Sequence, residues 1–132
     1  MIKIDKKHHQ AMLKQLRSRL PLEDCGLMAG VNNHVERIYP VTNKLASPFA
    51  YEMEPLELLE SIMDLEDDGL ELLAIYHSHP NGPEIPSASD VAQAYYPESA
   101  YIIISFHDRT HPSVRAFHIK EGHVTEIAYS VV

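Results

Sequence analysis

Leu72-Leu73-Ala74-Ile75-Tyr76-His77-Ser78-His79-Pro80, followed after five residues by Pro86-Ser87-Ala88-Ser89-Asp90, is the stretch that organises this chain. The run from Leu72 to His77 is apolar and of strand length, which reads as a central strand buried on both faces. Residues i and i+2 of a strand share a face, so His77 and His79 project side by side where the strand ends. Ser87 or Ser89 caps a short third helix that runs to about Tyr95, before Pro97. A strand-loop-helix unit can therefore fold Asp90 back onto the histidines. Two imidazoles with one carboxylate suit zinc, with a fourth position left open for water. An open position marks a catalytic rather than a structural site, so the residues point to a zinc hydrolase.

Each piece alone has a plainer reading. A His-x-His pair by itself is surface or satisfied polar packing, and Pro80 and Pro86 punctuate a loop. Ser87 alone is an N-cap, with Asp90 as its capping partner or a favourable first-turn anion. It is the combination that carries the metal reading.

Outward from this unit the chain reads as alternating short elements. Ile2 to Ile4 is a strand. Lys6 to Leu20 is a helix, with Met12, Leu13, Leu16 and Leu20 at helical spacing and Pro21 to stop it. Cys25 to Val31 is a short apolar strand, and Asn32-Asn33 turns it into a partner strand over His34–Tyr39. A Thr42-to-Pro48 loop leads to Phe49–Met53, which alternates like a strand. Glu54-Pro55 opens a second helix that runs to about Asp68 and ends at Gly69. Tyr101–Phe106, Val114–Ile119 and Val124–Tyr129 read as three closing strands. The fold class is mixed α/β around one sheet.

The length of 132 residues suits one domain, and 45% hydrophobic with 23% charged residues is a globular composition. Net charge is -8, with 11 basic against 19 acidic residues, the wrong balance for a nucleic-acid surface. Much of the acidity lies between Glu52 and Glu71, as expected of a solvated helix face. The first residues lack the apolar region of a signal peptide. No apolar run approaches the roughly 18 residues of a membrane helix, so the expected compartment is the cytoplasm. Cys25 is the single cysteine, which excludes a disulfide framework.

His77-Ser78-His79-Pro80 with Ser87-x-x-Asp90 resembles the JAMM (MPN+) metalloprotease family, whose signature sets ten residues between the second histidine and the aspartate, as residues 80 to 89 do here. The family's upstream glutamate usually precedes a small-apolar strand ending in glycine. Glu23, in Glu23-Asp24-Cys25-Gly26-Leu27-Met28-Ala29-Gly30, matches that context, and the resemblance spans roughly Ile2 to Phe106. It implies one JAMM domain over 1–132: a curved sheet flanked by helices, related in shape to cytidine deaminases. It also implies zinc on His77, His79 and Asp90, acidifying a bound water from a pKa of 15.7 toward ~7. Glu23 would then act as general base and acid, and the Ser87 hydroxyl as donor to the developing oxyanion. Asp24 is the competitor of Glu23, since adjacent residues on an extended segment point apart and only one can face the ion.

By resemblance to the compact prokaryotic type, the substrate would be a small β-grasp protein, ubiquitin-like or a sulfur carrier, cut after its Gly-Gly tail. An extended tail of this kind can pair with a strand edge. A small-molecule zinc hydrolase or deaminase, and a metal-bound interaction module without turnover, are the rival readings. Among other residues, Cys25 is expected to be a buried, inert thiol. His107 and His111, flanking Asp108, are expected to be exposed loop histidines rather than a second metal site. His8 and His9 carry no further signal. Tyr95, Tyr96 and Tyr101 are expected to pack near the third helix or line a groove.

Overall fold

The computed structural model describes residues 1–132. The elements run β1 (Ile2–Ile4), α1 (Lys6–Arg19), β2 (Cys25–Val31), β3 (His34–Val41), α2 (Pro55–Asp67), β4 (Glu71–His79), α3 (Ala88–Ala92), β5 (Ala100–Ser105), β6 (Ser113–Lys120), β7 (His123–Ile127) and β8 (Tyr129–Val131). All eight strands belong to one mixed sheet in the order β7-β6-β5-β4-β2-β3-β1-β8. The expected mixed α/β class with a single curved sheet is the one found. Its curvature has a simple cause. β7 and β8 are opposite edges of the sheet, yet only Ala128 separates them in sequence. The sheet must curl until its edges nearly meet.

β4 is central as expected, antiparallel to β2 and parallel to β5, and every residue from Leu73 to His79 is buried. Its alternating side chains feed two apolar layers. Ala74 and Tyr76 pack with Met12 and Leu16 of α1, along with Ile4, Ile102 and Ile104. Ile75 packs on the other side with Leu27, Ile103 and Phe117, against Leu58 and Ile62 of α2. Gly26 makes the first layer possible. A Cβ there would run into the Tyr76 ring and hydroxyl and the Tyr39 carbonyl. Its absence lets the Tyr76 hydroxyl reach the Gln15 side chain on α1.

Three boundaries differ from the sequence reading. Phe49–Met53 is not a strand: it makes one isolated bridge, Asn43 to Met53. The Asn43 side chain satisfies the backbone that a neighbouring strand would otherwise satisfy, accepting from the Leu45 and Glu52 amides and donating to the Ala50 carbonyl. Val124–Tyr129 divides into β7 and β8, because β8 leaves β6 to pair in parallel with β1. The third helix stops at Ala92 rather than Tyr95. Tyr96 precedes Pro97, a position that disfavours helix, and its amide donates to the Tyr101 hydroxyl instead.

Candidate metal centre

The end of β4 and the start of α3 meet at three atoms. His77 Nε2 and His79 Nε2 are 3.1 Å apart, and each is 3.1 Å from Asp90 Oδ2. Strand alternation puts both rings on one face, and the β4–β5 register beyond His77 holds the strand straight through Ser78 and His79. Asp90 is delivered by a capping box: Ser87 Oγ accepts from the Asp90 amide, and Asp90 Oδ2 accepts from the Ser87 amide at 2.8 Å. The capping reading of Asp90 is realised, and the same oxygen atom faces both histidines.

The two rings are held differently. His79 Nδ1 lies 2.8 Å from the Pro83 carbonyl, which can only accept, so Nδ1 carries the hydrogen and Nε2 offers its lone pair to the site. His77 Nδ1 is buried without a hydrogen-bond partner. Glu23 completes the cluster, its carboxylate oxygen lying with the histidine nitrogens inside a 4.8 Å group. The adjacent Asp24 turns the other way and accepts from Gln15 Nε2 at 2.8 Å. Of the two neighbouring acids, Glu23 is the one facing the histidines.

The electrostatics follow from burial and crowding. Burial would raise the Asp90 carboxyl, but its contacts with His77 and His79 outweigh this and hold it well below the carboxylate range. Burial depresses His77, partly opposed by Asp90. His79 is also penalised by burial, yet Asp90 and the Pro83 carbonyl leave it raised. Burial pushes Glu23 up to about 7, with His79 pulling it down and Asp90 pushing it further up.

The donor set fits zinc. A tetrahedral ion bound at about 2.0–2.2 Å to nitrogen and carboxylate oxygen sets its ligand atoms ~3.3 Å apart, so the triangle need open only by about 0.2 Å. Nδ1 of His77 points away from Asp90 into buried surroundings, which leaves Nε2 as the ring atom offered to the site.

Two contacts in the cluster had no signal in the residue spacing. Ser78 Oγ accepts from the Asp24 amide, and the Ser78 amide donates to the Asp24 carbonyl, tying β4 to the segment that carries Glu23. Tyr51 stacks on His77 with ring centroids 4.3 Å apart at 28°. The alternation of Phe49–Met53 placed Tyr51 and Met53 on one face but gave no reason to bring that face to the histidines.

The remaining candidates lie apart from the centre. Cys25 is fully buried, donates to the Val41 carbonyl, and is pushed up by burial and by Asp24 and Glu23. His111 stands in an exposed loop 3.8 Å from Asp108, away from the cluster of Glu23, His77 and His79. Tyr101 is buried, whereas Tyr95 is 75% exposed. No helix is long and apolar enough to cross a membrane.

Comparison with known proteins places the chain in a class. Residues 5–120 match the family model described as prokaryotic homologs of the JAB domain, and the chain belongs to this family, the compact prokaryotic JAMM type that its motif resembles. It is 42% identical over 118 residues to a probable TtuB-protein conjugate cleaving protease of Thermus thermophilus, covering 86% of this chain and 75% of that one. It is 35% identical over 124 residues to the CysO-cysteine peptidase of Mycobacterium tuberculosis, covering 92% and 85% respectively. A protein of Desulfitobacterium hafniense, known as a solution structure, superposes with a TM-score of 0.89 at 37% identity, covering 100% of this chain and 93% of that one.

Proposed function

We propose that this chain is a zinc-dependent peptidase that hydrolyses the amide bond after the Gly-Gly tail of a ubiquitin-like or sulfur-carrier β-grasp protein. The observation that carries the reading is the triangle of His77, His79 and Asp90 with Glu23 beside it. His77, His79 and Asp90 would hold the ion. When bound, zinc supplies the Lewis acidity that brings the ionisation of water toward neutral pH and polarises a carbonyl.

The chain's own groups supply the rest. Glu23, raised to about 7 by burial, takes a proton from the attacking water and passes it to the leaving amine. Ser87 Oγ accepts the Asp90 amide and lies 3.2 Å from Ser89 Oγ, and with Ser89 as the donor of that pair the Ser87 hydrogen can donate to the carbonyl oxygen as negative charge builds there. Beside Asp90 lies a cavity of about 250 Å³ bordered by Leu45, Phe49, Tyr51 and Tyr95. Phe49 is 82% exposed, an apolar surface next to the chemistry that an extended chain can cover. A protein tail suits that rim better than a small molecule does, and the Thermus and Mycobacterium relatives are named for cleaving TtuB-protein conjugates and for a peptidase activity on CysO-cysteine.

The test is intact-mass analysis of a Gly-Gly-tailed β-grasp carrier extended by cysteine, with a lysine-isopeptide version alongside. Zinc-dependent loss of the extension is expected. Glu23→Gln is expected to keep zinc and abolish cleavage, and retained cleavage would remove Glu23 from its role. Zinc bound with neither substrate cut would overturn the substrate assignment.

A further inference from the structure

The two histidines of the centre are supported unequally. A metal-bound histidine ordinarily gives its other ring N–H to a carboxylate or carbonyl, which fixes the ring plane and strengthens the ligand. His79 has this support from the Pro83 carbonyl at 2.8 Å. His77 does not: its Nδ1 is buried and meets no partner. What lies against the His77 ring is the face of Tyr51, at 4.3 Å between centroids and 28° between planes.

The placement of Tyr51 is itself enforced. The residues on either side of it are tied to one buried amide, with Asn43 Nδ2 donating to the Ala50 carbonyl and Asn43 Oδ1 accepting from the Glu52 amide. The same Nδ2 also donates to the Glu23 carbonyl at 3.0 Å, and the Glu23 amide donates to the Ser47 carbonyl at 2.9 Å. Segment 43–52 is therefore stitched to the backbone of Glu23, and it carries the Tyr51 ring to His77 as part of the same arrangement.

We infer that Tyr51 is a positioning residue of the metal centre: its ring, stacked on His77, fixes the imidazole plane that no hydrogen bond at Nδ1 fixes, and thereby sets the affinity for zinc. This rests on the assignment of His77 as a zinc ligand. The ring carries the function, through stacking on the imidazole, and the phenol hydroxyl does not.

The experiment measures zinc affinity by chelator competition for the wild type, Tyr51→Phe and Tyr51→Leu, with urea unfolding of the zinc-free forms in parallel. Tyr51→Leu is expected to bind zinc about 10- to 100-fold more weakly, the usual cost of losing a group that orients a ligand. Tyr51→Phe is expected to stay within about threefold of wild type, because the ring remains. Zinc-loaded wild type is expected to show a nuclear Overhauser contact between the rings of Tyr51 and His77, a readout that survives even if Tyr51→Leu fails to fold. The inference is overturned by unchanged affinity in Tyr51→Leu, by equal losses in Phe and Leu, or by absence of the ring–ring contact. A wild type that binds no zinc overturns the metal assignment itself. Tight wild-type binding with an unaffected Leu variant overturns the role of Tyr51 alone.

Discussion

Glu23 is held between opposing influences: burial and Asp90 favour its neutral form, His79 its charged form, and burial is the largest. Its carboxyl rises from an ordinary 4.5 to about 7. In zinc-free protein the folded state therefore binds one more proton than the unfolded chain between those values. The Glu23 contribution is fully present below pH 4.5 and is lost as pH rises toward 7, at up to about 1.4 kcal/mol per pH unit. His77, depressed by burial, works in the opposite direction, but it is common to wild type and to a Glu23→Gln variant. The difference between the two reports Glu23 together with its coupling to His79, which the Glu23 charge helps to raise. Urea unfolding in chelator should show Glu23→Gln gaining stability relative to wild type at pH 7.5 and little at pH 4.5. A difference independent of pH would mean that the Glu23 carboxyl is not perturbed.

At the scale of elements, α3 is five residues long and could not persist in isolation. It stands because Ser87 and Asp90 cap each other, and the same pair presents Oδ2 to the histidines. Ser87→Ala should cost ~1 kcal/mol of zinc-free stability by loss of the cap. If the hydroxyl also donates to the oxyanion, kcat should fall by roughly 10²–10³ with zinc still bound, and Ser87→Thr, which keeps both cap and hydroxyl, should recover most of it. A kcat for Ser87→Ala within about threefold of wild type would confine Ser87 to capping. Elements of this kind were legible in the sequence because each is written locally: the apolar run of β4, the helical spacing of Met12 and Leu16, and the Ser87-x-x-Asp90 box all fall within one element or one turn. The segment around Asn43 and Tyr51 was not. Its backbone is satisfied by a single side chain, which leaves no periodicity, and alternation over Phe49–Met53 imitated a strand. The division of β7 from β8 was hidden for a related reason: both lie in one alternating stretch, and only closure of the whole sheet sends β8 to β1. Glu23 could be separated from Asp24 only by resemblance, since the choice depends on how the chain enters β2.

For the molecule as a whole, the centre joins β4, the strand at the middle of the sheet, to a helix outside it, with Glu23 supplied from just before β2. An ion bound there links parts distant in sequence, and binding to the folded state alone raises stability by about 2.7 kcal/mol at free zinc 100-fold above Kd. For a chain of this size that corresponds to a Tm rise of roughly 8–10 °C over the chelated protein. The structure offers two trios around the shared histidines: His77, His79 and Asp90 by mutual contact, and Glu23, His77 and His79 by proximity. Thermal unfolding of variants with and without zinc separates them. Loss of the zinc-induced rise in His77→Ala is required by either trio. Asp90→Ala should lose the rise as well, while Glu23→Gln should retain it, because the Asp90 oxygen is the one that closes the triangle at 3.1 Å and Glu23 is left free to handle protons. The reverse pattern, with Asp90→Ala retaining the rise and Glu23→Gln losing it, would make Glu23 the carboxylate ligand and Asp90 the cap of α3. Asp90, 3.1 Å from both histidines and already accepting the Ser87 amide, would then be the acid left to serve as base.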